Sequence, residues 1–212
     1  MENYAGHELT VVSFDTAVPS PPERRCDERQ TTLLRIGKLV VGGEQRLCMI
    51  RNLSSAGAML KLYQPLALGE RVQVEVTPDC PVDAQVIWYQ DGLAGIAFDT
   101  RIDVVAALRG GREDGPYRRV KRIPRVRVER AARMCTDDAE CAVMLCDISP
   151  NGAKIAGGPA LAADTEIALF VEGLPPLTGS VRWCGGGHAG IKFDVSLRID
   201  LLAGWLGPGA PP

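Results

Sequence analysis

The chain has 212 residues, a net charge of −2, and 46% apolar but only 5% aromatic residues. That is enough for one large domain or two small ones with cores of Val, Leu, Ile and Ala, and it argues against a general nucleic-acid binder, which is basic overall. No stretch approaches the roughly 18 consecutive apolar residues of a membrane helix, and no basic, then apolar, leader opens the sequence. No membrane insertion is therefore expected, nor a nucleic-acid partner.

In chain order, residues 1–22 read as a flexible tail that ends in Pro19-Ser20-Pro21-Pro22. Short apolar runs divided by turn signals follow at 33–41, 47–53, 58–62, 72–76, 82–88 and 93–98, each read as a strand. Ile102, Val105, Ala106 and Leu108 then mark a short helix. Residues 110–117, rich in Gly and turn formers, read as a linker. A second series of strands is read at 126–132, 142–148, 153–155, 167–171, 179–183 and 189–193. Leu197, Leu201, Leu202, Trp205 and Leu206 give a second helix whose apolar stripe closes a barrel. Residues 207–212 read as a flexible end. Six short strands per series predict an all-β fold of antiparallel barrels, since closure removes the edges that a small sheet exposes.

The two series are copies. Asn52-Leu53-Ser54-Ser55-Ala56-Gly57-Ala58 recurs as Asp147-Ile148-Ser149-Pro150-Asn151-Gly152-Ala153 at an offset of 95. Val86-Ile87-Trp88 recurs as Val181-Arg182-Trp183, and Gly95-Ile96-Ala97-Phe98-Asp99 as Gly190-Ile191-Lys192-Phe193-Asp194, at the same offset. Arg101-Ile102-Asp103 recurs as Arg198-Ile199-Asp200. Repeats in one order at nearly one spacing, the last offset by 97, define two domains, read as 23–109 and 118–206.

Seven cysteines (Cys26, Cys48, Cys80, Cys135, Cys141, Cys146 and Cys184) are an odd number with no CxxC pair. They read as small apolar thiols in a reducing cytoplasm, with no metal site and no cofactor. His7 lies in the tail and His188 follows three glycines, neither with a catalytic partner. Trp88 and Trp183 are read as core or barrel-wall residues. No nucleophile–base pair, metal cluster or P-loop is present, so a non-enzyme is expected.

Two elements of the first copy carry chemistry. Arg24-Arg25-Cys26-Asp27-Glu28-Arg29 contains Arg25-x-x-x-Arg29 ahead of the first strand, and Asn52-x-Ser54-x-x-Gly57 sits at a strand–turn–strand junction. Together with Trp88 and Gly95-Ile96-Ala97-Phe98 they resemble the RxxxR and D/N-x-S-x-x-G motifs and the late strands of the PilZ family, in both copies. The resemblance implies six-stranded β-barrels and cyclic di-GMP as ligand, with the output passed to a downstream protein partner.

The residue types suit that ligand. A guanidinium fork makes paired contacts with phosphate oxygens or guanine O6 and N7, and it stacks on a purine face. Asn52 accepts from a guanine N–H, and Ser54 donates to phosphate or braces the turn. Gly57 is read as permitting positive φ and close approach of the ligand.

The second copy departs from the pattern. Asp147-x-Ser149-x-x-Gly152 is intact, but the basic segment runs Arg118-Arg119-Val120-Lys121-Arg122-Ile123-Pro124-Arg125. Arg125 in the place of Arg29 puts Lys121 at the first motif position; Arg118 with Arg122 is the other register. Binding chiefly by the first domain is expected. Residues 112–133 hold nine Lys/Arg against three Asp/Glu, a local +6 that leaves −8 elsewhere. Such a basic stripe in an acidic chain draws a specific anion rather than coating DNA.

Overall fold

The computed structural model describes residues 34–77, 80–109 and 123–207, except the side chains of 77, 80, 108 and 109. The N-terminal tail, Arg24, Arg25, Arg29, the 110–117 linker, Lys121, Arg122 and the last five residues lie outside the described residues.

The first series forms β1 (Arg35–Val41), β2 (Glu44–Leu53), β3 (Gly57–Lys61), β4 (Arg71–Thr77), β5 (Cys80–Gln90) and β6 (Leu93–Phe98), followed by α1 (Val104–Arg109). All pairings are antiparallel, and the sheet closes in the order β1-β2-β3-β6-β5-β4. The second series gives β7 (Val126–Cys135), β8 (Glu140–Ser149), β9 (Gly152–Ala156), β10 (Glu166–Val171), β11 (Leu177–Gly185), β12 (His188–Phe193) and α2 (Ile199–Trp205). It closes the same way, as β10-β11-β12-β9-β8-β7. The predicted pair of six-stranded barrels is what the chain forms.

Alternation sets each wall. In β10, Ile167, Leu169 and Val171 point into the barrel while the residues between them face outwards. Gly42 and Gly43 join β1 to β2 with φ of 57° and 88°, and Gly186 and Gly187 join β11 to β12 with 60° and 74°. Two successive positive φ values give the tight turn whose twist matches the flanking strands. The interiors are aliphatic, as the composition requires; Phe193 and Trp205 are the buried aromatics among the described residues.

The first helix differs in phase from the sequence reading, and the second departs from it at one residue. In α1, Val104 is buried with Ile102 and Ala107 packed nearby, whereas Val105 and Ala106 face solvent. The Asp103 carboxylate caps this helix, accepting from the Val105 and Ala106 N–H groups at 2.9 and 3.0 Å. At α2, Leu197, Leu202 and Trp205 are buried and Leu206 packs beside them as read, and Leu201 alone of the stripe is exposed. A stripe inferred over so few residues is easily misplaced by one position.

The barrels touch. Leu47, on the outer face of β2, is buried within the second barrel's apolar cluster, and Ile36 and Tyr63 pack against the same cluster. Gln45 Oε1 accepts from the Arg127 N–H at 2.9 Å, and Gln64 Nε2 donates to the Ala203 carbonyl at 3.3 Å.

Candidate functional site

The first motif begins at a break in β2. Ile50 opposes Leu60 and Asn52 opposes Met59, so Arg51 is one residue too many for the partner strand. Ile50 and Leu53 still point inwards, and the bulge turns Asn52 outwards. The second barrel repeats the device: Leu145 opposes Ile155, Asp147 opposes Lys154, and Cys146 is the extra residue.

The turn after the bulge is locked by its own serine. Ser54 Oγ donates to the Gly57 carbonyl at 3.1 Å, and its backbone N–H donates to the same oxygen at 2.9 Å. Ser149 Oγ donates to the Gly152 carbonyl at 3.1 Å. The next loop clamps the turn from outside: Phe98 N–H donates to Ala56 O and Ile102 N–H to Ser55 O, matched by Phe193 to Asn151 and Leu197 to Pro150. Of the two roles considered for Ser54, the structure displays the turn brace.

The reading of Gly57 needs correction. Its φ is not in the left-handed region. A Cβ there would lie 2.3 Å from the Ile96 carbonyl oxygen, and one on Gly152 would lie 2.2 Å from that of Ile191. Glycine is demanded here by the neighbouring strand and not by a left-handed turn.

Following register outwards from Asn52 reveals a row. Asn52 opposes Met59, Met59 opposes Gly95, and Gly95 opposes Trp88. In the second barrel the row is Arg127, Asp147, Lys154, Gly190 and Trp183. Residues opposed in register share a face of the sheet, so each motif residue and its tryptophan face the same way, three strands or roughly 14 Å apart. Each tryptophan also follows a bulge, at Ile87 and at Arg182.

Trp88 and Trp183 are on the barrel wall but not in the core, at 39% and 45% exposure. A Cβ on Gly95 would fall 2.0 Å from Trp88 Nε1, and one on Gly190 the same distance from Trp183 Nε1. Each indole therefore lies flat across a glycine and offers a face to solvent. The sequence signal for this was the paired Trp and Gly at the same offset in both copies.

The two rows differ electrostatically. Asn52 Oδ1 is enclosed by protein and has no hydrogen-bond partner among the described residues. At the matching position the Asp147 carboxylate accepts from Arg125 Nη1 at 2.7 Å. Of the basic residues named from the sequence, Arg125 is the one among the described residues, and it pairs with the second motif. Ser149 and Gly152 serve the turn, as Ser54 and Gly57 do.

The five cysteines whose side chains are described are all free thiols. Cys48 is wholly buried, and that burial pushes its thiol up to about 12, against a smaller lowering by the Gly37 backbone. No cluster of three His, Cys, Asp or Glu with metal-binding placement occurs among the described residues. No helix among them is long and apolar enough to cross a membrane.

Sequence comparison matches the PilZ domain over residues 23–109 and again over 117–204, and the chain belongs to that family, carrying its domain twice. No curated protein sequence matches it. Among solved structures it is similar to the Borreliella burgdorferi PlzA protein in complex with c-di-GMP, at 14% identity over 82% of this chain and 88% of that one, TM-score 0.35. The Bacillus subtilis inhibitor of motility, MotI/DgrA, is 13% identical over 82% and 95%, TM-score 0.34. Escherichia coli YcgR in complex with c-di-GMP is 12% identical over 80% of each chain, TM-score 0.30.

Proposed function

We propose that the chain is a cytoplasmic cyclic di-GMP receptor whose first barrel is the primary site. The observation that carries this reading is Asn52 Oδ1, an enclosed acceptor without a partner among the described residues, at the head of a row that ends on an exposed indole. An enclosed acceptor left unpaired costs about 1–3 kcal/mol, and a guanine N–H is a donor that satisfies it. The Trp88 face offers a stacking surface for a purine. Arg24, Arg25 and Arg29 supply planar cations for the phosphates and for guanine O6 and N7. Lys121, Arg122 and Arg125, with Asp147, Ser149 and Gly152, are the corresponding groups of the second domain. No residue is assigned a catalytic role, and the signal leaves through a protein partner.

A ligand-independent interaction scaffold is the second reading. It is favoured by three consecutive exposed large apolar residues on β5, Ile87, Trp88 and Tyr89, at 53%, 39% and 38%.

Isothermal titration calorimetry with cyclic di-GMP, with GTP as control, separates the two. Saturable, selective binding at about micromolar affinity or better, lost from the first domain in Arg25→Ala or Arg29→Ala, supports the receptor. A folded protein that binds neither nucleotide supports the scaffold.

A further inference from the structure

Over the strands described in both barrels the outer rows are alike in architecture, but Asp147 and Lys154 stand where the first barrel has Asn52 and Met59. The first presents Asn52, Met59 and Trp88, all neutral. The second presents Arg127, Asp147, Lys154 and Trp183, with Arg125 alongside. Three cations against one carboxylate leave this row at +2.

Lys154 is the telling member. It stands opposite Asp147 on the neighbouring strand, a placement that usually brings Cβ atoms within about 5 Å and lets opposite charges pair. Lys38 and Glu75, opposed in the same way across β1 and β4, close at 2.6 Å. Lys154 forms no ion pair and no ring contact among the described residues, and the partner that Asp147 takes is Arg125. Its half-buried stem therefore carries an uncommitted ammonium group between the clamped motif turn and the Trp183 indole.

We infer that the second barrel is a separate cyclic di-GMP site in which Lys154 contacts a phosphate, a role that Met59 leaves empty in the first barrel. The inference rests on the receptor reading above and extends it. The first barrel receives base through Asn52 and Trp88 and takes its cations from the segment before β1. The second barrel has one of its cations built into the wall, on β9. Asp147, neutralised by Arg125, does not repel the incoming phosphate.

The test is calorimetry with cyclic di-GMP on the full chain carrying Arg25→Ala and Arg29→Ala. This variant should keep binding at one site. Adding Lys154→Met should weaken that site about tenfold to a hundredfold, the scale of a lost charge-assisted contact, and flatten its salt dependence. Lys154→Arg should stay within about threefold of the parent, and thermal unfolding should not change. Unaltered affinity in the Lys154→Met variant overturns the inference, as does complete loss of binding in the double-arginine variant while the unmodified chain binds. Failure of the unmodified chain to bind overturns the receptor reading itself.

Discussion

Trp88 and Gly95 oppose each other across β5 and β6, and the indole fills the space that a side chain on residue 95 would take. The contact lies on the outer wall, so the ring has solvent to move into. Gly95→Ala should leave stability within about 0.5–1 kcal/mol of the parent, red-shift tryptophan emission as the ring swings away, and weaken cyclic di-GMP binding by the first barrel. Urea unfolding, fluorescence and calorimetry on one preparation check the three together. A loss of stability with no loss of binding makes the pair a packing feature only.

Gly57 fails differently. Its added methyl would meet the Ile96 carbonyl, which belongs to backbone and cannot swing aside. Gly57→Ala and Gly152→Ala should each cost about 1–3 kcal/mol, read as a lower urea midpoint at unchanged slope. Glycine variants of this motif therefore report on folding first, and a loss of ligand binding in them says little about contact with ligand.

Arg125 and Asp147 form an exposed pair, and exposed pairs are weak. A double-mutant cycle on Arg125→Ala and Asp147→Ala should give a coupling of about 0.2–1 kcal/mol in stability. Arg125→Ala should still weaken binding by the second barrel while the first is unaffected. A coupling of several kcal/mol would make the pair a structural strut.

Cys48 yields a pH prediction. In the fold its thiol stays protonated up to about 12, raised from 9.0 by burial. The unfolded chain loses that proton near the ordinary value. The resulting stability is fully present below pH 9 and is lost as pH climbs from 9 towards 12. Tyr63, raised by burial and then by Asp200 and Cys48 against a lowering by Arg51, adds to the decline from about its ordinary value of 10.0 upwards. Between pH 8 and 10 the urea midpoint should fall, and Cys48→Ala should flatten that fall. An equal slope in the variant would assign it to other groups.

Much of the architecture was legible in the sequence. The repeat at 95 residues placed both barrels, and every predicted strand overlaps an observed one. The row from Asn52 to Trp88 was not legible, because it depends on the register of four strands and on two bulges. Strict alternation from the inward Val86 turns Trp88 into the barrel, and one extra residue, Ile87, turns it out. Docking of the barrels was equally hidden, although Leu47 beside the buried Cys48 is its trace: two adjacent buried residues in a strand mean that both faces are covered.

The central claim is that ligand lies on the outer rows, against the two exposed indoles. The chain has three tryptophans, and the third, Trp205, is buried with its Nε1–H donating to the Glu172 carbonyl at 2.8 Å. A titration of nitrogen-15-labelled protein with cyclic di-GMP, followed through the three indole N–H signals and assigned by single Trp→Phe changes, reads all of them at once. The account predicts that the Trp88 and Trp183 signals shift to saturation while that of Trp205 holds still. Saturable binding that leaves both outer indoles unmoved would contradict it.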